Sequence, residues 1–172
     1  MSEIDSGERE RWVGEVVERY EGPLVRYAAQ ITGDLERARD VAQDTFLRLC
    51  NQDREQLDGH LVEWLYTVCR NRALDVRRKE QRMKTMTAEQ AATQESHDAG
   101  QATLTEQQDT TDRVLQFVDK LSDNQREVVR LKFQSGLSYK EIAAITELSV
   151  SNVGYLIHAA IKKLRVELGV TT

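Results

Sequence analysis

The chain has 172 residues, with 24 basic and 29 acidic side chains and a formal net charge of −5. No apolar run approaches the roughly 20 residues of a membrane-crossing helix, the two cysteines (Cys50 and Cys69) lack metal-ligand or CxxC spacing, and the acidic start MSEIDSGERER is not a secretory or transit signal. Membrane insertion, a zinc site and a disulfide framework are thereby excluded at this stage, a reduced cytoplasmic compartment is expected, and the acidic total argues at first sight against nucleic acid.

Residues 8–32 place Trp12, Val16, Val17, Tyr20, Leu24, Tyr27, Ala28 and Ile31 at three-to-four spacing, which predicts a helix. Gly22-Pro23 is expected to break or restart it, because proline lacks the N–H that the helical ladder needs. Gly33-Asp34 begins a second helix with Ala38, Val41, Ala42, Phe46 and Leu49 on its apolar face. Residues 51–60, NQDREQLDGH, read as a polar loop. A third helix is predicted from Leu61 to about Gln81, buried through Leu61, Trp64, Leu65, Val68, Cys69 and Val76.

From Met83 to Thr111 the only large apolar residues are Met83, Met86 and Leu104. Such a stretch cannot bury enough apolar surface to offset its ordering entropy, so a flexible linker is expected. Beyond it, Ser122-x-x-Gln125 and Ser138-x-x-Glu141 both match a capping box. Gly136 suits the end of the helix opened by the first box. A short helix, Tyr139 to Thr146, precedes the turn Glu147-Leu148-Ser149 and a last helix capped by Ser149. Its expected buried stripe is Val150, Val153, Ile157, Ala160, Ile161, Leu164 and Leu168. No strand alternation appears. The fold class is all-α: two small helical domains, residues 1–82 and 112–172, joined by a flexible linker at 83–111.

Charge follows these divisions. Residues 1–60 carry a net −6, residues 61–84 a net +4, residues 85–112 a net −6 and residues 113–172 a net +3. Alternating blocks of this kind suggest modules with separate partners.

Three surfaces stand out, each with a plain alternative. The last helix pair has helix-turn-helix geometry, whose second helix can enter a major groove. Its outward residues are Ser151, Asn152, Tyr155, Ala159 and Lys162, and Asn can read adenine while Ser and Tyr reach bases or phosphates. An ordinary helical hairpin would look similar. On the third helix, Thr67, Asn71, Leu74 and Arg78 share a face flanked by Arg70 and Arg77. Forked guanidinium groups beside an Asn suit phosphates and base edges, although a solvated basic face is the common alternative. On the second helix, Asp40, Gln43, Asp44 and Leu47 lie away from the core stripe. An acidic face with a projecting leucine suits docking to a basic partner helix, or simple solvation. There is no Gly-rich phosphate loop, HExxH or paired-carboxylate signature. His60, His97 and His158 are far apart, so no enzyme, cofactor, metal or small-molecule substrate is expected.

The blocks DVAQDTFLRL (Asp40–Leu49), WLYTVCRNRALDVRR (Trp64–Arg78) and GLSYKEIAAITELSVSNVGYLIHAAIKKLR (Gly136–Arg165) occur in that order around a polar linker. Together they resemble a bacterial RNA polymerase sigma factor of the extracytoplasmic-function type, which keeps only two helical domains, regions two and four. The resemblance implies a transcription initiation factor that binds core RNA polymerase and promoter DNA. It implies polymerase docking through Asp40, Gln43, Asp44, Phe46 and Leu47. It implies that the 51–60 loop and the following helix melt and read the minus-ten element, with Thr67, Arg70, Asn71, Arg77 and Arg78 on DNA. The helix-turn-helix, through Ser149, Ser151, Asn152, Tyr155, Lys162 and Lys163, would read the minus-thirty-five element. An anti-sigma protein is a further implied partner. The sequence departs from the family at Glu147, where a small glycine is usual in the turn, and at Gly154, Leu156 and Ala159, where basic residues are usual. Arg130, Lys132, Lys140, Lys162 and Lys163 are left to supply phosphate contacts. The rival readings are a stand-alone helix-turn-helix regulator and a protein-only helical adaptor.

Overall fold

The computed structural model describes residues 3–88, 114 and 116–169. Every regular element among the described residues is a helix: α1 (Glu3–Thr32), α2 (Leu35–Leu49), α3 (Arg54–Leu57), α4 (Leu61–Ala88), α5 (Asp123–Phe133), α6 (Tyr139–Thr146) and α7 (Val150–Glu167). The chain divides into two compact units, residues 1–93 and 94–172. Of the expected linker, residues 83–88 extend α4, and 89–111 lie outside the described residues.

In the first unit α1, α2 and α4 pack on one another. Pro23 does not break α1, which runs through it. An interior proline costs a helix about 3 kcal/mol. Here apolar burial on both sides opposes that cost: Trp12 and Val16 precede Pro23 in the core, and Leu24, Tyr27 and Ala28 follow it. The Tyr27 and Tyr66 rings meet at 5.3 Å and 54°, a tilted aromatic contact of the favourable kind.

α2 begins as its sequence dictates. Asp34 is extended and accepts a bond from the Arg37 N–H at 2.8 Å, which occupies one of the free donors of the first turn. Ala38, Val41, Ala42, Phe46 and Leu49 are buried as expected, and Thr45 joins them because its hydroxyl donates to the Val41 carbonyl at 2.8 Å. The core stripe of α4 is Leu65, Tyr66, Cys69 and Ala73, rotated from the expected one, so Leu61, Trp64, Val68 and Val76 are half-buried. The expected loop at 51–60 contains the one-turn helix α3, capped by Asp53 and anchored by buried Leu57.

In the second unit α5, α6 and α7 share a core through Val128, Leu131, Ile142, Ile145, Val153 and Ile157. Phe117 and Leu121 pack with Ala160 beside it. The Ser138 box is complete, with Glu141 N–H donating to the Ser138 hydroxyl at 3.2 Å and Ser138 N–H to the Glu141 carboxylate at 2.7 Å. Ser122 caps α5, but the Ser122 hydroxyl donates to the Gln125 side-chain carbonyl at 3.3 Å in place of the reciprocal bond. After α5 the chain reverses at Gly136, φ +68. Val150 is 49% exposed, because it opens α7 ahead of the point where the stripe enters the core.

Candidate protein-docking and nucleic-acid interfaces

The outward face of α2 is available for contact. Asp40 and Gln43 are exposed, and Leu47 is 59% exposed. Phe46 is buried, so it supports this face from beneath. Beside the face, α1 and α2 frame an open groove of about 650 Å³. Val13, Val17 and Val25 of α1 line it opposite Gln43, Phe46 and Leu47 of α2. The groove continues the leucine-bearing face as an apolar surface. Val13, Val17 and Val25 share one face of α1 at spacings of four and eight residues, with Glu21 between them at the groove.

Asp44 differs from its neighbours. It is half-buried, and the Arg72 Nε–H donates to it at 2.7 Å, tying α2 to α4. A second tie joins the same helices where Arg37 pairs with Glu80, which also accepts Lys84 at 3.1 Å. The hydrogen bond from Arg37, then that from Lys84, hold the Glu80 carboxyl below its ordinary pKa, and Glu80 in turn raises that of Arg37. Neither pair is legible from sequence spacing, since the partners are 28 and 43 residues apart.

The cationic face of α4 survives these pairings. Asn71, Arg77 and Arg78 are exposed, while Thr67 and Arg70 are half-buried. Arg78 also reaches Asp75 at 3.4 Å. Lys79 and Arg82, which the sequence reading passed over, are exposed as well. They sit one and four residues past Arg78, so Arg82 continues the Arg78 face while Lys79 points about 100° away from it. Cys69 lies beneath, its thiol pushed up to about 12 mainly by burial. It is a packed core group at neutral pH.

In the second unit, Ser151, Asn152 and Tyr155 project from the first turns of α7, with Tyr155 70% exposed. Lys162 and Lys163 project from its far half. Ser149 is committed to the helix, because its hydroxyl accepts the Asn152 N–H at 3.1 Å. The first turn of α7 holds no acidic side chain, so the N–H groups that the Ser149 cap does not occupy suit a phosphate. The turn before it forces Glu147 into the left-handed region, φ 61 and ψ 23.

Several cations of this unit hold the fold. Arg126 donates to the carbonyls of Val118, Asp119 and Leu121 at 3.2, 2.7 and 3.0 Å. Arg130 is half-buried, and burial, then the positive Arg126, lower its pKa. Lys132 donates to the Leu137 carbonyl at 3.2 Å and lies 5.3 Å from the Tyr139 ring centroid. Of the basic residues expected to meet phosphate, Lys140, Lys162 and Lys163 are exposed, whereas Arg130 and Lys132 serve internal contacts. Tyr139 in turn lies over Gly154, where a Cβ would meet its ring at 3.5 Å, an ordinary contact.

No group of histidine, cysteine and acidic side chains among the described residues is arranged to hold a metal. No helix among them is long and apolar enough to cross a membrane.

Comparison with known proteins matches residues 16–83 to the family model "Sigma-70 region 2" and residues 111–164 to "Sigma-70, region 4". The chain is 32% identical over 157 residues to the ECF RNA polymerase sigma factor SigL of Mycobacterium tuberculosis, covering 86% of this chain and 85% of that protein. It is 32% identical over 143 residues to the ECF RNA polymerase sigma factor EcfG of Rhodopseudomonas palustris, covering 82% and 76%. Among solved structures it is similar to the sigma factor RpoE of Bartonella quintana, crystallised with the anti-sigma factor NepR, at TM-score 0.64 and 22% identity over 92% of this chain and 98% of that one. The matches span both helical units, so neither a stand-alone regulator nor a protein-only adaptor is favoured. The chain belongs to the extracytoplasmic-function RNA polymerase sigma factors, the proteins that direct transcription initiation.

Proposed function

We propose that the two units divide the work of initiation between polymerase and promoter. In this reading α2 docks on core RNA polymerase through Asp40, Gln43, Asp44 and Leu47, with Phe46 and the α1–α2 groove supporting the contact. The loop at 51–60 and the face of α4 then engage the minus-ten element, where Thr67, Arg70, Asn71, Arg77 and Arg78 track the strand and hold unpaired bases. The N-terminal turns of α7 read the upstream element through Ser151, Asn152 and Tyr155, with Lys162 and Lys163 on phosphates. The protein supplies binding and strand capture, and the polymerase performs the chemistry. It works in the cytoplasm, where core polymerase and the chromosome meet. Because the structurally similar sigma factor RpoE was crystallised with an anti-sigma factor, an inhibitor of that class would cover these same faces.

The observation that carries this reading is the exposed cationic cluster of α4, Arg77, Arg78, Lys79 and Arg82, which internal ion pairs leave largely available. The test is run-off transcription with core polymerase on genomic fragments. A discrete start site that depends on the protein is the expected outcome. No stable association with core and no start site on any fragment would overturn it.

A further inference from the structure

The first turns of α1 reach a segment far along the chain. The Arg9 guanidinium donates to the Cys50 carbonyl at 2.5 Å and the Gln52 carbonyl at 2.7 Å, across 41 and 43 residues. The loop returns a guanidinium of its own, since Arg54 lies 6.0 Å from the ring centroid of Trp12. Trp12 is buried one turn along α1 from Arg9. Each side thus offers the other one cation and one acceptor, either carbonyl oxygens or an aromatic face.

These bonds fall where the loop needs them. A helix leaves its last carbonyls without intrahelical donors. At the end of α2, the Cys50 N–H donates to Phe46, the Asn51 side chain to Leu47, the Asn51 N–H to Arg48 and the Gln52 N–H to Leu49. The carbonyls of Cys50 and Gln52 come next, and Arg9 takes both. The following residues are fixed in sequence: Asp53 caps α3 by accepting the Glu55 N–H at 3.1 Å, Leu57 is buried, and the His60 N–H donates to the Leu57 carbonyl at 3.1 Å. α4 begins at the next residue. Arg9 therefore holds the point at which the chain leaves the docking helix for the DNA-facing one. Both Arg9 and Trp12 precede residue 16, where the region 2 match starts.

We propose that Arg9 is a positioning residue for promoter opening, which presets the Cys50–His60 loop through the Cys50 and Gln52 carbonyls. The inference rests on the reading that this loop meets the promoter. The contacts are exposed, so water replaces them when Arg9 is removed and the fold survives, while the fixed orientation of the loop is lost.

The experiment uses the full chain with core polymerase. Arg9→Ala is expected to keep its melting temperature and core affinity. Its amides at 50–58 should exchange about tenfold faster, as expected for loss of a local opening barrier. Permanganate reactivity of the downstream element should fall several-fold, and Arg9→Lys, which keeps the charge, should recover part of it. Unchanged amide exchange overturns the proposal, as does faster exchange with unchanged opening. Glu55→Ala with Gln56→Ala, made with Arg9 intact, separates the two levels. If that variant alters opening and Arg9→Ala does not, the positioning role fails alone. If neither alters opening, the promoter reading of the loop fails with it.

Discussion

The two helices proposed to meet DNA, α4 and α7, lie in segments of similar net charge but use it differently. The segment holding α4 has a net +4 and the C-terminal segment a net +3. On α4, Arg77, Arg78, Lys79 and Arg82 stand exposed, while Arg72 is drawn into a tie with α2. In the second unit Arg126, Arg130 and Lys132 are turned inward onto carbonyls, Asp119 and an aromatic ring. Lys162 and Lys163 lie beyond the N-terminal turns that would meet the bases. Net charge is thus a poor measure of the charge a partner can meet. On the proposed reading, the first unit would grip DNA electrostatically, and the second would rely on Ser151, Asn152 and Tyr155 for shape and hydrogen bonding.

The largest effect that would break this contrast comes from Arg77→Ala with Arg78→Ala. Promoter opening should fall by an order of magnitude or more, with the salt dependence of DNA binding reduced by about 0.7 per lost single-strand contact. Permanganate footprinting and a salt titration measure both, and an unchanged slope would remove α4 from the phosphate path. Asp44→Arg comes next. It sets a cation against Arg72, and core affinity should drop about tenfold, the scale of a lost charge-paired contact. Adding Arg72→Asp restores the α2–α4 tie; if core affinity returns fully in a pull-down, Asp44 acts inside the fold and not on the polymerase.

Smaller effects separate the inward from the outward cations of the second unit. Lys132→Ala should lower stability by about 1 kcal/mol through the lost bond to Leu137, with duplex affinity per folded molecule unchanged. Lys162→Ala with Lys163→Ala should do the reverse, keeping the melting temperature and cutting the duplex salt slope by about 1.8. The smallest changes are gains. Glu147→Gly relieves a left-handed residue, worth about 1 kcal/mol. Gly154→Ala fits beneath Tyr139 and should add up to about 1 kcal/mol from helix propensity. Thermal unfolding reads both, and a loss in the second would mean that Tyr139 needs the space.

Local rules were legible in the sequence. The apolar face of α2, the Ser138 box and the Ser149 cap follow from neighbours within four residues, whereas the special turn position at Glu147 stands out only through the family resemblance. What escaped depends on distance along the chain or on competition between terms. Pro23 alone predicts a break, but the burial of Trp12 and Leu24 on either side outweighs it. α3 is too short for periodicity to register. Small Ala73 carries the α4 stripe where larger residues suggested another angle. Asp40, Gln43, Leu47, Asn71, Arg77, Arg78, Ser151, Asn152 and Tyr155 face outward as their spacing implies, but Asp44, Thr67 and Arg70 are half-buried, and the inward role of Arg130 and Lys132 and the ties of Asp44 and Arg9 depend on contacts distant in sequence.

The proline in α1 bears on the order in which the molecule assembles. A helix of 30 residues interrupted in its ladder has no local route to its full length, because the half before Pro23 gains nothing from the half after it until both meet a surface. α2, with its own cap and a continuous apolar face, can form early. The half of α1 that carries Arg9 and Trp12 should then be a late arrival in folding, with φ values near zero at Trp12 when folding kinetics are measured. A φ value near one there would place this segment in the nucleus instead. A late segment is also the first to detach, so the residues that hold the promoter-facing loop would sit on the least committed part of the domain.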